Sequence, residues 1–248
     1  MNAVYTIWLR EMKVFFRARS RLVGSLATPF FWLAILGTGL RSSFALADIP
    51  VGYLDFMAPG IIGMSLLFSS MFSGVSVLWE KQFGFLKEIL VAPVKRSSIV
   101  MGKALGGTTI SVLQGSMILL LSAAMGVKIK GLWSVLLALG FMVLISVSFI
   151  CLGLAFASKM EDPHGFQTVM GFIALPMFFL SGALYPVVKL PSVLRALAYL
   201  DPLTYGVDAL RGSLVGVHYF PLWIDLGAVV AFLIATTALG TYLFERVI

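Results

Sequence analysis

The chain has 248 residues and a net charge of +7, with 60% hydrophobic residues and only 12% charged, and its mean hydropathy is +1.01. A soluble domain carries about 25% charged residues, so this chain has half the charge a water-facing surface needs, which excludes a soluble globular protein. The lone Cys151 excludes a disulfide scaffold, and 20 Phe with 24 Gly in no repeat exclude a fibrous or disordered chain.

Six uncharged stretches are long enough to cross roughly 30 Å of hydrocarbon as helices: residues 22–40, 56–79, 104–127, 132–158, 166–188 and 226–244. Residues 2–21 precede them. Val4, Trp8, Met12, Phe15 and Phe16 recur there at helical spacing, while Arg10, Lys13, Arg17 and Arg21 take the opposite face. That pattern predicts an amphipathic helix lying in the membrane interface. The basic start, first apolar run and Ala45-Leu46-Ala47 also have the outline of a cleaved secretion signal. The run is 19 residues, longer than the usual 7–15 or so, and five more spans follow.

The loop after the second span, residues 80–103, carries Phe83, Phe85, Leu86, Ile89 and Leu90 in a segment too short to cross, and Pro93 ends any helix near Ala92. A short amphipathic helix at the membrane surface is expected, presenting an apolar ridge to a partner's groove or docking on the bilayer. Gly102-Lys103 at the loop's end is not a phosphate-cradling loop, because Ser97 stands where a glycine is required and Ala104 follows the lysine. Lys103 reads instead as an interfacial anchor of the third span. Ser70/Gly74, Gly102/Gly106 and Gly107/Ser111 are small pairs four residues apart, suited to close helix packing within the chain or to a dimer contact.

In the fifth run, Pro176 and Pro186 interrupt the helix beside Gly171 and Gly182, which predicts a bent segment and a candidate lining of a pathway. The loop 189–221 is too apolar for a flexible linker, and Asp201-Pro202 is a helix start with the acid as N-cap. Two short helices dipping into the outer leaflet would bring Tyr185, Tyr199 and Tyr205 near the headgroups. Asp225 marks the outer lip of the last run.

Lys and Arg set the orientation, because short loops rich in them stay in the cytoplasm. The termini, the loop 80–103 and the loop after the fourth span hold 12 of the 18, so both termini are expected inside. The net charge is then an orientation signal with an attraction to anionic lipid, and no soluble face supports nucleic-acid binding. Every Asp, Glu, Lys, Arg and His lies outside the six runs or at their edges, which argues against a proton- or ion-driven carrier. The two histidines, His164 and His218, are in loops, and no span holds paired carboxylates or a metal-ligand set. An intramembrane enzyme is therefore not expected: Ser181 has no histidine in a span to activate it.

The string FGFLKEILVAPVKRSSIVMGKALGG resembles the loop after the second span in membrane subunits of type-2 ATP-binding-cassette (ABC-2) exporters, the group of drug-resistance, nodulation-factor and polysaccharide export permeases. Residues 171–212 are similar to the same group's fifth span and outer loop. The resemblance implies an all-α membrane protein of one domain over residues 1–248, with six transmembrane helices, an N-terminal interfacial helix and short re-entrant outer helices before the last span. It also implies a permease subunit, not an enzyme, in the cytoplasmic (inner) membrane. Such a subunit works as a homodimer with two copies of a separate ATPase, which would hold the ATP and Mg while this chain binds no cofactor.

Phe83, Gly84, Phe85, Leu86, Lys87, Glu88, Leu90, Ala92 and Pro93 then match a coupling helix pressed into the ATPase. Lys159, Glu161, Asp162 and His164 would make a second, smaller cytoplasmic contact. A pathway between the second and fifth spans of two copies would be lined by Phe68, Phe72, Pro176, Phe179, Ser181 and Tyr185. Its wall suits an amphipathic drug-like or lipid cargo. Export of a lipid-linked polysaccharide or oligosaccharide is the alternative, and a non-transporting anchor or assembly subunit is the rival from another class. An ion channel is disfavoured, since no charged ring or filter-like loop is visible.

Overall fold

A computed structural model of the chain describes residues 3–39, 51–83 and 96–247, all of them helix or connecting loop with no strand among them. In chain order the helices are α1 (Ala3–Arg17), α2 (Arg19–Gly39), α3 (Tyr53–Ser73), α4 (Val75–Gln82), α5 (Arg96–Ala124), α6 (Leu132–Lys159), α7 (Pro163–Leu180), α8 (Ser192–Leu200), α9 (Pro202–Leu214) and α10 (Leu222–Val247). Among the described residues five stretches are long and apolar enough to cross a membrane: Tyr53–Gln82, Ser98–Ala124, Leu132–Lys159, Pro163–Leu180 and Leu222–Leu243. The expected first span, residues 22–40, falls on α2, whose apolar part, Val23–Gly37, is shorter than crossing length, so five crossing-length stretches, not the expected six, stand among the described residues.

The central helix is α3, buried on nearly every side from Phe56 to Leu67 and packed against α2, α5, α6, α7 and α9. Glycines let it approach its neighbours closely. A methyl group on Gly153 of α6 would sit 2.5 Å from the Met71 carbonyl oxygen, and one on Gly74 would sit 2.7 Å from the Gly153 carbonyl oxygen. The three small pairs are all used inside the chain. Ser70 donates to Ser111 at 3.1 Å, Gly74 meets Gly153, Gly107 meets Ser73, and Gly102 and Gly106 receive Ile7 and Glu11 of α1.

Helix α1 is separated from α2 by Ala18 alone. It buries Met12 and Phe15 and lies along α5, where Trp8 donates to Thr109 at 3.1 Å. The fifth span is shorter than its apolar run: α7 passes through Pro176 and stops at Leu180. Gly182 follows at φ +71°, and Pro186 lies beyond the helix, heading a single 3-10 turn. Hydropathy measures how apolar a segment is, and the left-handed glycine decides where the helix turns.

The 189–221 region folds back onto the bundle. Asp201 caps α9 by accepting from the Leu203 N–H at 2.9 Å, and α9 buries Leu203, Val207, Leu210 and Leu214. Arg211 fastens this end: its fully buried guanidinium donates to the carbonyls of Phe56 (3.1 Å) and Gly182 (2.8 Å). It also lies 3.8 Å over the Phe56 ring and 3.9 Å from Asp208. Asp208 in turn accepts from the Tyr219 and Phe220 N–H groups. Asp225 is not at a wet lip: α10 begins three residues earlier, and the side chain is fully buried, where an acid in the first turn suits the helix dipole.

Candidate coupling site and inter-helix cavity

At the end of the bundle where α1, α4 and α5 meet, two cations and two carboxylates close on one another. Lys103 Nζ lies 2.7 Å from Glu80 and 3.2 Å from Glu11, and Arg10 donates to Glu80 at 2.7 Å. The Lys103–Glu80 contact is a close ion pair set at an angle to a linear hydrogen bond. The Lys103 side chain is only 4% exposed, a burial that an ammonium group tolerates only when paired. Lys103 is thus more than an interfacial anchor. Arg10, on the expected basic face of α1, stays exposed while its guanidinium reaches Glu80.

Trp79, one residue before Glu80, stacks on Phe83 with ring centres 5.8 Å apart and takes the edge of His164 at 6.0 Å. Lys81 pairs with Glu161 at 3.7 Å. Asp162 caps α7 through the N–H groups of Gly165 and His164. Those bonds, with Gly165 the larger contributor, hold its carboxylate below the usual range. Of the expected coupling residues only Phe83 is described, and it is exposed. Gly84, Phe85, Leu86, Lys87, Glu88, Leu90, Ala92 and Pro93 lie outside the described residues. Phe83 and the second contact loop, Lys159 to His164, come together around Trp79. Their exposed side chains stand beside the ion cluster that ties α4 to α5, the two helices bounding the 84–95 segment.

A cavity of about 430 Å³ runs between α1, α2, α3, α5 and α7, within the range of small-molecule sites. Phe68 and Phe72 of α3, stacked at 6.1 Å, line it together with Phe179, while Pro176, Ser181 and Tyr185 do not. Pro176 is on the exposed face of α7. Ser181 is buried and donates to the Phe178 carbonyl at 2.7 Å, and the Tyr185 hydroxyl donates to the Phe179 carbonyl. Among the described residues no three His, Cys, Asp or Glu side chains assemble as metal ligands.

The ion cluster was hidden from the sequence because its partners are up to 92 residues apart. Its one signal is Glu11, an acid alone on an otherwise basic helix.

This architecture, with five helices long and apolar enough to cross a membrane, suits a polytopic membrane protein. The chain belongs to the ABC-2 type transporter family, whose pattern matches residues 2–215. It is 28% identical to the inner membrane transport permease YadH of Escherichia coli strain K12, covering 98% of this chain and 95% of that one. It is 27% identical to nodulation protein J of Rhizobium leguminosarum bv. trifolii, over 97% and 92%. It is 28% identical to ycf38 of Pyropia yezoensis, also named as a transport permease, over 94% and 84%. The chain is a membrane transport permease and not an enzyme.

Proposed function

We propose that the chain is the permease subunit of an ATP-driven exporter in the cell membrane. It works as a homodimer with two copies of a separate ATPase that binds ATP and Mg, and it moves an amphipathic drug-like or lipid compound. The observation that carries this reading is the Arg10–Glu80–Lys103–Glu11 cluster, in which Lys103 and Glu80 are buried. It ties the end of α4 to α1 and to α5 about two turns in from its start, so a push on the 84–95 segment between them reaches the second and third spans as a unit instead of being lost in loop motion. The 84–93 block presses into a cleft of the ATPase, with Lys87 and Glu88 meeting the partner and Phe85, Leu86 and Leu90 seating the helix. Lys159, Glu161, Asp162 and His164 add the second contact.

ATP binding draws the ATPase subunits together, and the coupling segment converts that motion into opening of a pathway between the second and fifth spans of the two copies. The short helices α8 and α9 dip into the outer leaflet and close its exit. The test is Glu88→Arg in the assembled complex. Retained assembly with loss of ATP-dependent transport is expected, and unchanged transport removes Glu88 from the contact.

A further inference from the structure

The cavity between α1, α2, α3, α5 and α7 has two unlike walls. Along α3 and into α4, Ser65, Ser69, Ser73 and Ser76 recur at helical spacing and form one polar row. Phe68 and Phe72 form the adjacent row with their rings parallel within 7°. Across from them Trp32 packs edge-on against Phe178 at 5.9 Å, closing an aromatic side. The slot extends along the helix from Met64 to Ser76, about 18 Å at 1.5 Å per residue.

The floor of the slot carries Lys103 and Glu11, but both belong to the ion cluster, whose two cations and two carboxylates cancel. No net charge remains to repay the desolvation of a charged ligand. Ser73 and Ser76 give their hydroxyl protons to the Ser70 and Ser73 carbonyls and Ser69 accepts from Ser111, so the row offers a ligand chiefly acceptor lone pairs, with Ser65 and Ser69 left to donate. It matches a partner rich in hydroxyl donors, and parallel aromatic faces receive an apolar ring or chain.

We propose that this cavity, inside a single copy of the chain, binds cargo, and that it selects an uncharged amphiphile bearing hydroxyl groups. The hydroxyls lie along the serine row and the apolar part lies against Phe68, Phe72 and Trp32. A glycosylated or polyol-headed lipid and a hydroxylated ring compound share this chemistry. The proposal rests on the export reading and narrows its cargo.

The test uses the full chain alone in lipid nanodiscs with three photoreactive probes. All carry the same diazirine-bearing dodecyl chain, headed by glucose, by phosphate or by trimethylammonium, and labelled peptides are mapped by mass spectrometry. The glucoside is expected to label the segments 64–76 and 107–114 about five-fold more than either charged probe. In the double variant Ser65→Ala, Ser69→Ala that excess is expected to fall about five-fold, the loss of roughly one neutral hydrogen bond. Labelling at Phe172, exposed and outside the cavity, should persist, and the thermal midpoint should confirm that the variant is folded. Equal cavity labelling by all three heads, no cavity labelling by the glucoside, or an excess unchanged in the folded variant overturns the proposal. A competing glucoside without the diazirine should displace the label from wild type, and failure to do so counts against it equally. Neither ATP nor an ATPase is present, so failure here leaves ATP-driven export standing. Absence of ATP-driven export with cavity labelling intact removes the export reading alone.

Discussion

Lys103 is a lysine at the membrane edge that the fold has pulled inward, and its surroundings determine what its loss would do. With two carboxylates in reach and almost no solvent, removing the ammonium leaves Glu80 with Arg10 only and Glu11 with neither cation. Breaking a buried pair in this way costs about 3–5 kcal/mol. Lys103→Met should therefore lower the thermal unfolding midpoint markedly, and adding Glu11→Gln, which neutralises the carboxylate left without a cation, should recover part of it. A double variant whose loss equals the sum of the single losses would contradict the coupling. At the other end, Asp201 is buried, with one oxygen capping α9 and the other without a partner. Burial pushes its carboxyl up to about 8. The unfolded chain ionises there near 3.9, so the folded state holds an extra proton between about pH 4 and pH 8. Its contribution to stability is complete below pH 4 and is lost as pH rises toward 8. Asp201→Asn keeps the capping oxygen and cannot ionise, so the unfolding midpoint should change less with pH from 5 to 8 than in wild type. An unchanged slope would contradict the assignment.

The helices are held together by contacts that leave no room for a side chain at a few positions and much room at others. Gly153→Ala would drive its methyl into the Met71 carbonyl, whereas Gly140 of the same helix has nothing within 4 Å. Gly153→Ala should lower the unfolding midpoint by forcing α3 and α6 apart, while Gly140→Ala should leave it level or raise it by the roughly 0.5–1 kcal/mol of better helix propensity. Equal effects would contradict the crossing. Gly182→Ala meets two obstacles, a left-handed φ of +71° that costs about 1–2 kcal/mol with a Cβ and a clash with Val187 at 2.5 Å. It should destabilise the turn that Arg211 grips, and a neutral result would contradict that. The helices themselves were legible in the sequence, because a membrane demands long apolar runs and charge marks most of their borders. The fifth span was legible in place but not in length, since residues 181–188 are as apolar as the helix they follow. Arg211 read as one more outer cation. Nothing near it in sequence shows that its guanidinium reaches the Phe56 carbonyl, 155 residues away.

At the scale of the whole molecule, Phe83, the one described residue of the expected coupling block, falls beside the expected second contact. Phe83 and His164 share Trp79, and the ion cluster backs them from one residue away. Sequence spacing alone could name the two loops but not their adjacency, which depends on α4 extending past the second span to meet the start of α7. The same limit applies to the pathway residues. Phe68, Phe72 and Phe179 share a cavity, while Ser181 and Tyr185 are spent on carbonyls at the end of α7, a distinction that composition does not carry. The measurement that bears most directly on the proposed role is a pull-down of the tagged chain from its own host's membranes in mild detergent, with the co-purifying proteins identified and ATP hydrolysis assayed. Recovery of an ATPase at about one copy per permease is expected, with hydrolysis that falls when residues 83–92 are altered. A permease recovered without an ATPase and without hydrolysis would contradict the coupling role and favour an anchoring subunit.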